Sequence, residues 1–224
     1  YPAYFELMDV PLPNGRDAVL EALCADRLIE RSSGGHWNVL NLGAILFARR
    51  ISDFGRLQRK ALRVVVYQGN GRVQTLREKE GQRGYAAGFE GLIGFVNSLL
   101  PANEVIGQAL RKEVPVYPEL AIRELVANAI IHQDLSVTGS GPMVEVFDDR
   151  MEITNPGTPL IATDRLLDHP PRSRNEMLAS LMRRMGICEE RGSGVDKVVF
   201  QTEIYQLPAP AFDVAVSYTH LTLP

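Results

Sequence analysis

Glu124, Asn128 and His132 stand at i, i+4 and i+8 in the run Glu-Leu-Val-Ala-Asn-Ala-Ile-Ile-His. On a helix that spacing drifts by only about 40° per step, so a carboxylate, an amide and an imidazole share one face. A carboxylate within reach of water is a general base. Ile122, Leu125, Val126, Ala129 and Ile130 lie between the three and can pack the other side onto a sheet. The plain alternative is a solvated amphipathic helix. Two turns carry further candidates. Met-Glu-Ile-Thr-Asn-Pro-Gly-Thr-Pro over 151–159 is a strand breaking into a turn, with the Asn155 amide beside Gly157 and Pro156 stiffening the break. Glu-Arg-Gly-Ser-Gly-Val over 190–195 is a glycine-rich turn opening a helix. The free N–H groups of such a turn, at Gly192, Ser193 and Gly194, can receive phosphate, although a lone Gly-x-Gly is also an ordinary way to begin a helix. Arg172, Arg174 and Arg191 flank this region and can pair with phosphate oxygens as forks, or, for the first two, lie as exposed charges on helix ends. Arg183 and Arg184 read as a solvated helix face.

The elements that must hold these residues are legible as patterns. Apolar spacing predicts helices over 17–25, near 44–49, over 84–100 with a stop at Pro101, over 118–132, over 175–185 and over 195–205. A strand through Trp37 and Val39 follows the turn Ser-Ser-Gly-Gly at 32–35. The β-branched run at 62–67 reads as a buried strand ending at Gly69-Asn70-Gly71, after a charged linker at 53–60. Residues 143–147 and 151–154 alternate across Asp148-Asp149-Arg150, the pattern of a hairpin with one face buried. Residues 1–58 thus form a small helix-hairpin-helix piece, either the tail of a winged-helix module or a packing appendage, and 59–215 form the main domain.

The order of the motifs matters more than any one of them. A helix with Glu-x-x-x-Asn, a strand ending in (Asp/Asn)-x-Gly, then Gly-x-Gly before another helix resembles the nucleotide motifs of the gyrase, chaperone and histidine-kinase ATPase superfamily. The run Tyr-Pro-Glu-Leu-Ala-Ile-Arg-Glu-Leu-Val-Ala-Asn-Ala-Ile-Ile-His-Gln-Asp from Tyr117, with Phe-Asp-Asp-Arg-Met-Glu-Ile-Thr-Asn-Pro-Gly, Ser-Arg-Asn-Glu and Glu-Arg-Gly-Ser-Gly-Val, is similar to a bacterial branch of it. That branch comprises ATP-binding transcriptional regulators with a Schlafen/AlbA-type N-terminal domain and a domain labelled as resembling the C-terminal part of a DNA helicase. The resemblance implies an α+β fold, a two-layer α/β sandwich of the gyrase type, over 59–215. It implies ATP and Mg²⁺ as ligands, with Asn128 on the metal, Glu124 orienting or deprotonating the attacking water, and Asn155 and Gly157 facing the adenine. Arg191, Gly192, Ser193 and Gly194 would meet the phosphates. His132 fits the closer branch and belongs at the rim of the pocket, or is a hydrogen-bonded structural histidine. Asn155 departs from the usual aspartate.

Composition sets the outer bounds. The 224 residues are 45% hydrophobic with a formal net charge of −3, enough for a real core and without a global pull toward polyphosphate. DNA contact is therefore expected from a local patch or from segments outside this fragment. Cys24 and Cys188 match no metal-ligand spacing and read as buried reduced thiols, which favours the cytoplasm. No apolar run is long enough for a bilayer. The closing Val-Ser-Tyr-Thr-His-Leu-Thr-Leu-Pro, 216–224, agrees residue for residue with the translation of a transposase-type sequencing adapter, and its deletion is expected to leave nucleotide binding unchanged; an ordinary terminal strand is the alternative. His220 is then no ligand. The reading is an ATP-Mg²⁺-binding domain of a DNA-associated regulator, with slow hydrolysis and a homo-oligomer both left open. Its rival is a non-hydrolysing interaction domain. A helicase motor needs Gly-x-x-x-x-Gly-Lys-Ser/Thr, which the sequence lacks.

Overall fold

The computed structural model describes residues 1–106, 111–163, 172–188, 194–215 and 218–224, of which 103–106, 111–114 and 215 are described as backbone only. The chain opens with helices α1 (Pro2–Leu7) and α2 (Arg16–Ala25), the antiparallel hairpin β1 (Ile29–Arg31) and β2 (Trp37–Val39), and α3 (Asn41–Phe47). Strands β3 (Arg63–Tyr67) and β4 (Thr75–Glu80), helix α4 (Tyr85–Asn97) and the hairpin β5 (Ala102–Ile106) and β6 (Arg111–Pro115) follow. Then come α5 (Glu119–His132), β7 (Met143–Val146), β8 (Met151–Pro156), α6 (Glu176–Arg184), α7 (Gly194–Ile204), β9 (Ala211–Ala215) and β10 (Tyr218–Leu223).

Six strands form one mixed sheet in the order β4-β3-β7-β8-β10-β9, parallel only between β3 and β7. With the seven helices among the described residues this is a mixed α+β fold. Alternation sorts its faces. Val64, Val144, Met151 and Ile153 enter the common core, whereas Glu145 and Glu152 come from the opposite side and sit directly across from each other in the β7–β8 register. Two carboxylates so paired repel. Arg72 resolves the conflict: its Nε donates to Glu145 Oε1 at 2.7 Å, and its Nη2 donates to Glu145 Oε2 at 3.0 Å and to Glu152. The fork of guanidinium on carboxylate is what allows Glu145 to be 1% exposed.

Helix α5 is the spine of the helical side. Nine of its residues are buried, Glu124 among them, because it lies between β8, α4 and α7. The solvated amphipathic alternative therefore does not hold. Two other expectations change. Helix α3 begins three residues earlier than the apolar spacing suggested. The charged stretch 53–60 is not a linker, since Leu57 is 5% and Lys60 2% exposed. Lys60 Nζ donates to the carbonyls of Val137 at 2.6 Å and Asp134 at 3.3 Å, which replaces the water that burial removes. Burial still lowers its pKa, against the pull of Asp134.

Tyr4, Phe5, Val19 and Leu46 belong to the same buried cluster as Ile130 and Ile153, so the N-terminal piece shares its core with the sheet. Tyr218–Leu223 pairs with β8 on one side and β9 on the other, burying Leu221 and Leu223. Pairing asks only for an alternating, β-favouring segment. It is therefore compatible with either origin of residues 216–224. Both cysteines are half-buried, more accessible than expected. No helix among the described residues is long and apolar enough to cross a membrane.

Candidate functional site

The three polar residues of α5 emerge from the protein in order. Glu124 is 1% exposed, Asn128 is half-buried and His132 reaches the surface. Eight residues of helix separate the ends of this row by about 12 Å. The row lines a cavity of about 660 Å³, within the usual range for small-molecule sites.

At the inner end the start of α7 lies against the row. A Cβ built at Gly194 falls 2.9 Å from Glu124 Oε2 and 3.6 Å from Asn128 Nδ2. A Cβ there would require the Glu124 carboxylate to shift, so glycine lets the backbone come this close with that side chain as it stands. At the other end, Asn155 lines the cavity from β8 and is 7% exposed, its Nδ2 donating a long 3.5 Å bond to the Pro156 carbonyl. Gly157 takes a φ of +104°, and a Cβ there meets Arg174 Nη1 and Asp134 Cβ, each at 2.7 Å. The turn therefore needs glycine for both conformation and space.

His132 lies on the rim. Desolvation of its ring, then the Arg174 guanidinium, lowers its pKa. Arg172, Arg174 and Arg183 line the cavity as three guanidiniums. Arg174 is at the turn end, where Nη2 donates to the Thr158 carbonyl at 2.9 Å and Nη1 to that of His132 at 3.5 Å, so its fork is engaged by main chain.

Of the residues expected to act together, Glu124, Asn128, His132, Asn155 and Gly194 all line this one cavity, and Gly157 shapes the turn beside it without lining it. Arg191, Gly192 and Ser193 lie outside the described residues. Sequence reasoning missed part of the wall. Glu176, Ala179, Ser180 and Arg183 line it from α6 at i, i+3, i+4 and i+7, so a helical stripe was present and Arg183 is not merely solvated. Arg184 is engaged elsewhere, 2.7 Å from Asp26. Phe212, Thr219 and Leu221 close the far side from β9 and β10, while His220 alternates to the other face of its strand.

Residues 139–223 match the family model described as "Putative ATP-dependent DNA helicase recG C-terminal". This is an ATPase-like domain family. The matched residues run from β7 through β10 and so include Asn155, Gly157 and Gly194, but not α5. No curated protein matches the chain. Among solved structures, that of the DIP2311 protein from Corynebacterium diphtheriae is similar, with a TM-score of 0.74 and 23% identity over all of this chain and 44% of that one. At this identity the likeness is one of fold. The chain spans less than half the length of that protein.

Proposed function

We propose that the cavity between α5, the 155–157 turn and the start of α7 binds ATP together with Mg²⁺, in a two-layer α/β sandwich of the gyrase, chaperone and histidine-kinase type. The observation that carries this reading is the approach of Gly194 to Glu124 and Asn128. It joins a helix N-terminus, whose N–H groups favour phosphate, to a carboxylate and an amide, whose oxygens suit a hard cation. The ATPase-like match over 139–223 supports it.

The donor set fits the metal. Asn128 would hold Mg²⁺ with its amide oxygen beside the phosphates, and the ion, when bound, would neutralise phosphate charge. Glu124 would orient or deprotonate a water molecule where slow hydrolysis occurs. Asn155 would meet the adenine edge, offering both an acceptor and a donor where a carboxylate offers acceptors alone. Arg183 and Arg172 bring positive charge to the cavity wall. DNA association would come through parts of the protein outside this chain.

Calorimetric titration with ATP tests the reading. Binding should require Mg²⁺, and Asn128→Ala should weaken it about tenfold, the loss of one oxygen ligand to the ion. Equal affinity for wild type and variant would remove Asn128 from the metal.

A further inference from the structure

Helix α5 ends without the usual glycine cap. Its C-cap, Gln133, has φ −59° and ψ 148°, so the chain leaves directly into extended backbone and the last carbonyls lack partners from their own helix. Side chains of one short segment supply them. Asn175 Nδ2 donates to the carbonyls of Ile131 at 2.8 Å and Gln133 at 2.7 Å. Arg174 Nη1 donates to the carbonyl between them, that of His132, at 3.5 Å. Three consecutive carbonyls are thus met by two consecutive residues.

The same Arg174 donates through Nη2 to the Thr158 carbonyl at 2.9 Å, beyond the turn that presents Asn155. Its Nε lies 4.0 Å from Asp134 Oδ2. Asp134 is in turn bonded by its main-chain N–H to the Pro156 carbonyl at 2.7 Å. Gly157 leaves room for the guanidinium, which a side chain there would strike at 2.7 Å. Before α6, Ser173 Oγ accepts the Asn175 N–H at 3.2 Å and steadies the segment.

We propose that Arg174 and Asn175 are positioning residues of the cavity, Asn175 fixing the last turn of α5 to the start of α6 and Arg174 clamping it to the 155–158 turn, so that Asn155 and His132 keep fixed places at its base-binding end. The proposal rests on the ATP reading for what the end binds, but not for the clamp itself. It also separates Arg174 from the other two cavity arginines: its fork serves the main chain and is not available to phosphate.

The test has one arm without nucleotide. In the full chain, amide hydrogen exchange at Asp134 should rise about tenfold or more in Asn175→Ala and in Arg174→Lys, the cost of about one hydrogen bond to a local opening, while amides of β3 and β7 hold their rates. Asn175→Ser and Arg174→Lys are mild enough to serve if the alanine variant unfolds. Unchanged exchange at Asp134 overturns the clamp, whatever the protein binds. The second arm compares adenosine, ADP and ATP. If the clamp acts at the base end, Asn175→Ala and Arg174→Lys each weaken all three by the same factor, since neither variant keeps the forked contacts. A loss in Arg174→Lys that is absent, or one in Asn175→Ala that grows with the number of phosphates, overturns the proposal in favour of a charge contact to phosphate. If wild type binds none of the three, the ATP reading fails and exchange alone decides the clamp.

Discussion

A methyl group at position 194 has no room beside Glu124. With its Cβ 2.9 Å from Oε2, Gly194→Ala must push the carboxylate or the start of α7 aside. Overpacking of this kind costs roughly 1–3 kcal/mol. ATP affinity should fall about tenfold or more while the thermal midpoint moves by only a few degrees; calorimetry beside a melting curve reads both, and undiminished affinity would detach Gly194 from the site. At this scale the sequence was most informative about α5. The i, i+4, i+8 spacing put Glu124, Asn128 and His132 on one face, and all three line one cavity. It was silent on depth, because nothing in local spacing says that Glu124 is buried and His132 exposed. It also took Arg183 for a solvated charge and offered Arg174 only a phosphate or solvent, where the partner is main chain, since a guanidinium's partner is set by tertiary neighbours. The clean signal that was overlooked is Asn175, in Ser-Arg-Asn-Glu, where an amide precedes a helix but serves another helix's end.

Among the elements, strand β10 makes the sharpest demand. It fills the slot between β8 and β9, supplies Thr219 and Leu221 to the cavity wall, and bonds Thr219 Oγ1 to the Gly157 carbonyl at 3.0 Å. Deletion of 216–224, silent on the sequence reading, now exposes the edge of β8 and removes two buried leucines, at a cost of roughly 3 kcal/mol or more from burial alone. Replacement of 218–223 by another segment with the same alternation should restore the thermal midpoint and ATP affinity, because a strand of adapter origin contributes pattern and not identity. A replacement as damaging as the deletion would contradict the adapter reading. The strands that sequence reasoning found, β2, β3, β7 and β8, carry apolar alternation or continuous β-branched runs. Strand β4, Thr-Leu-Arg-Glu-Lys-Glu, is exposed throughout and lies at the sheet edge, where charge guards against further pairing and hides the strand from any hydrophobic pattern.

Across the whole molecule, the N-terminal helices are tied to the site-bearing half by one polar cluster. Asp26 accepts from Tyr4 Oη at 2.6 Å and from Arg184 Nη1 at 2.7 Å, linking α1, α2 and α6. Burial pushes the Asp26 carboxyl up, and the hydrogen bonds from Arg184 and Tyr4 with the Arg184 charge outweigh it, leaving its pKa below the ordinary value. A carboxylate whose folded pKa is depressed stabilises the fold fully above its unfolded value of about 3.9, and that stabilisation is lost as pH falls through the lower folded value. Asp26→Asn should therefore cost about 1 kcal/mol at pH 7 in urea unfolding, with the gap to wild type closing as the pH falls below about 4. A gap that persists in acid would assign the loss to shape and not to charge. No sequence pattern joins Asp26 to Arg184, 158 positions away, which is why the N-terminal piece read equally as a module tail or an appendage.

The central claim is that ATP occupies the cavity along α5. Backbone amide shifts recorded while ATP and Mg²⁺ are added to the full chain test it most directly. The account predicts saturating shifts concentrated at Asn128, Asn155, Gly157 and Gly194, with β4 and the β1–β2 hairpin unmoved. Shifts that are absent at saturating ATP, or that gather on the Arg72 face of the sheet instead, would contradict it.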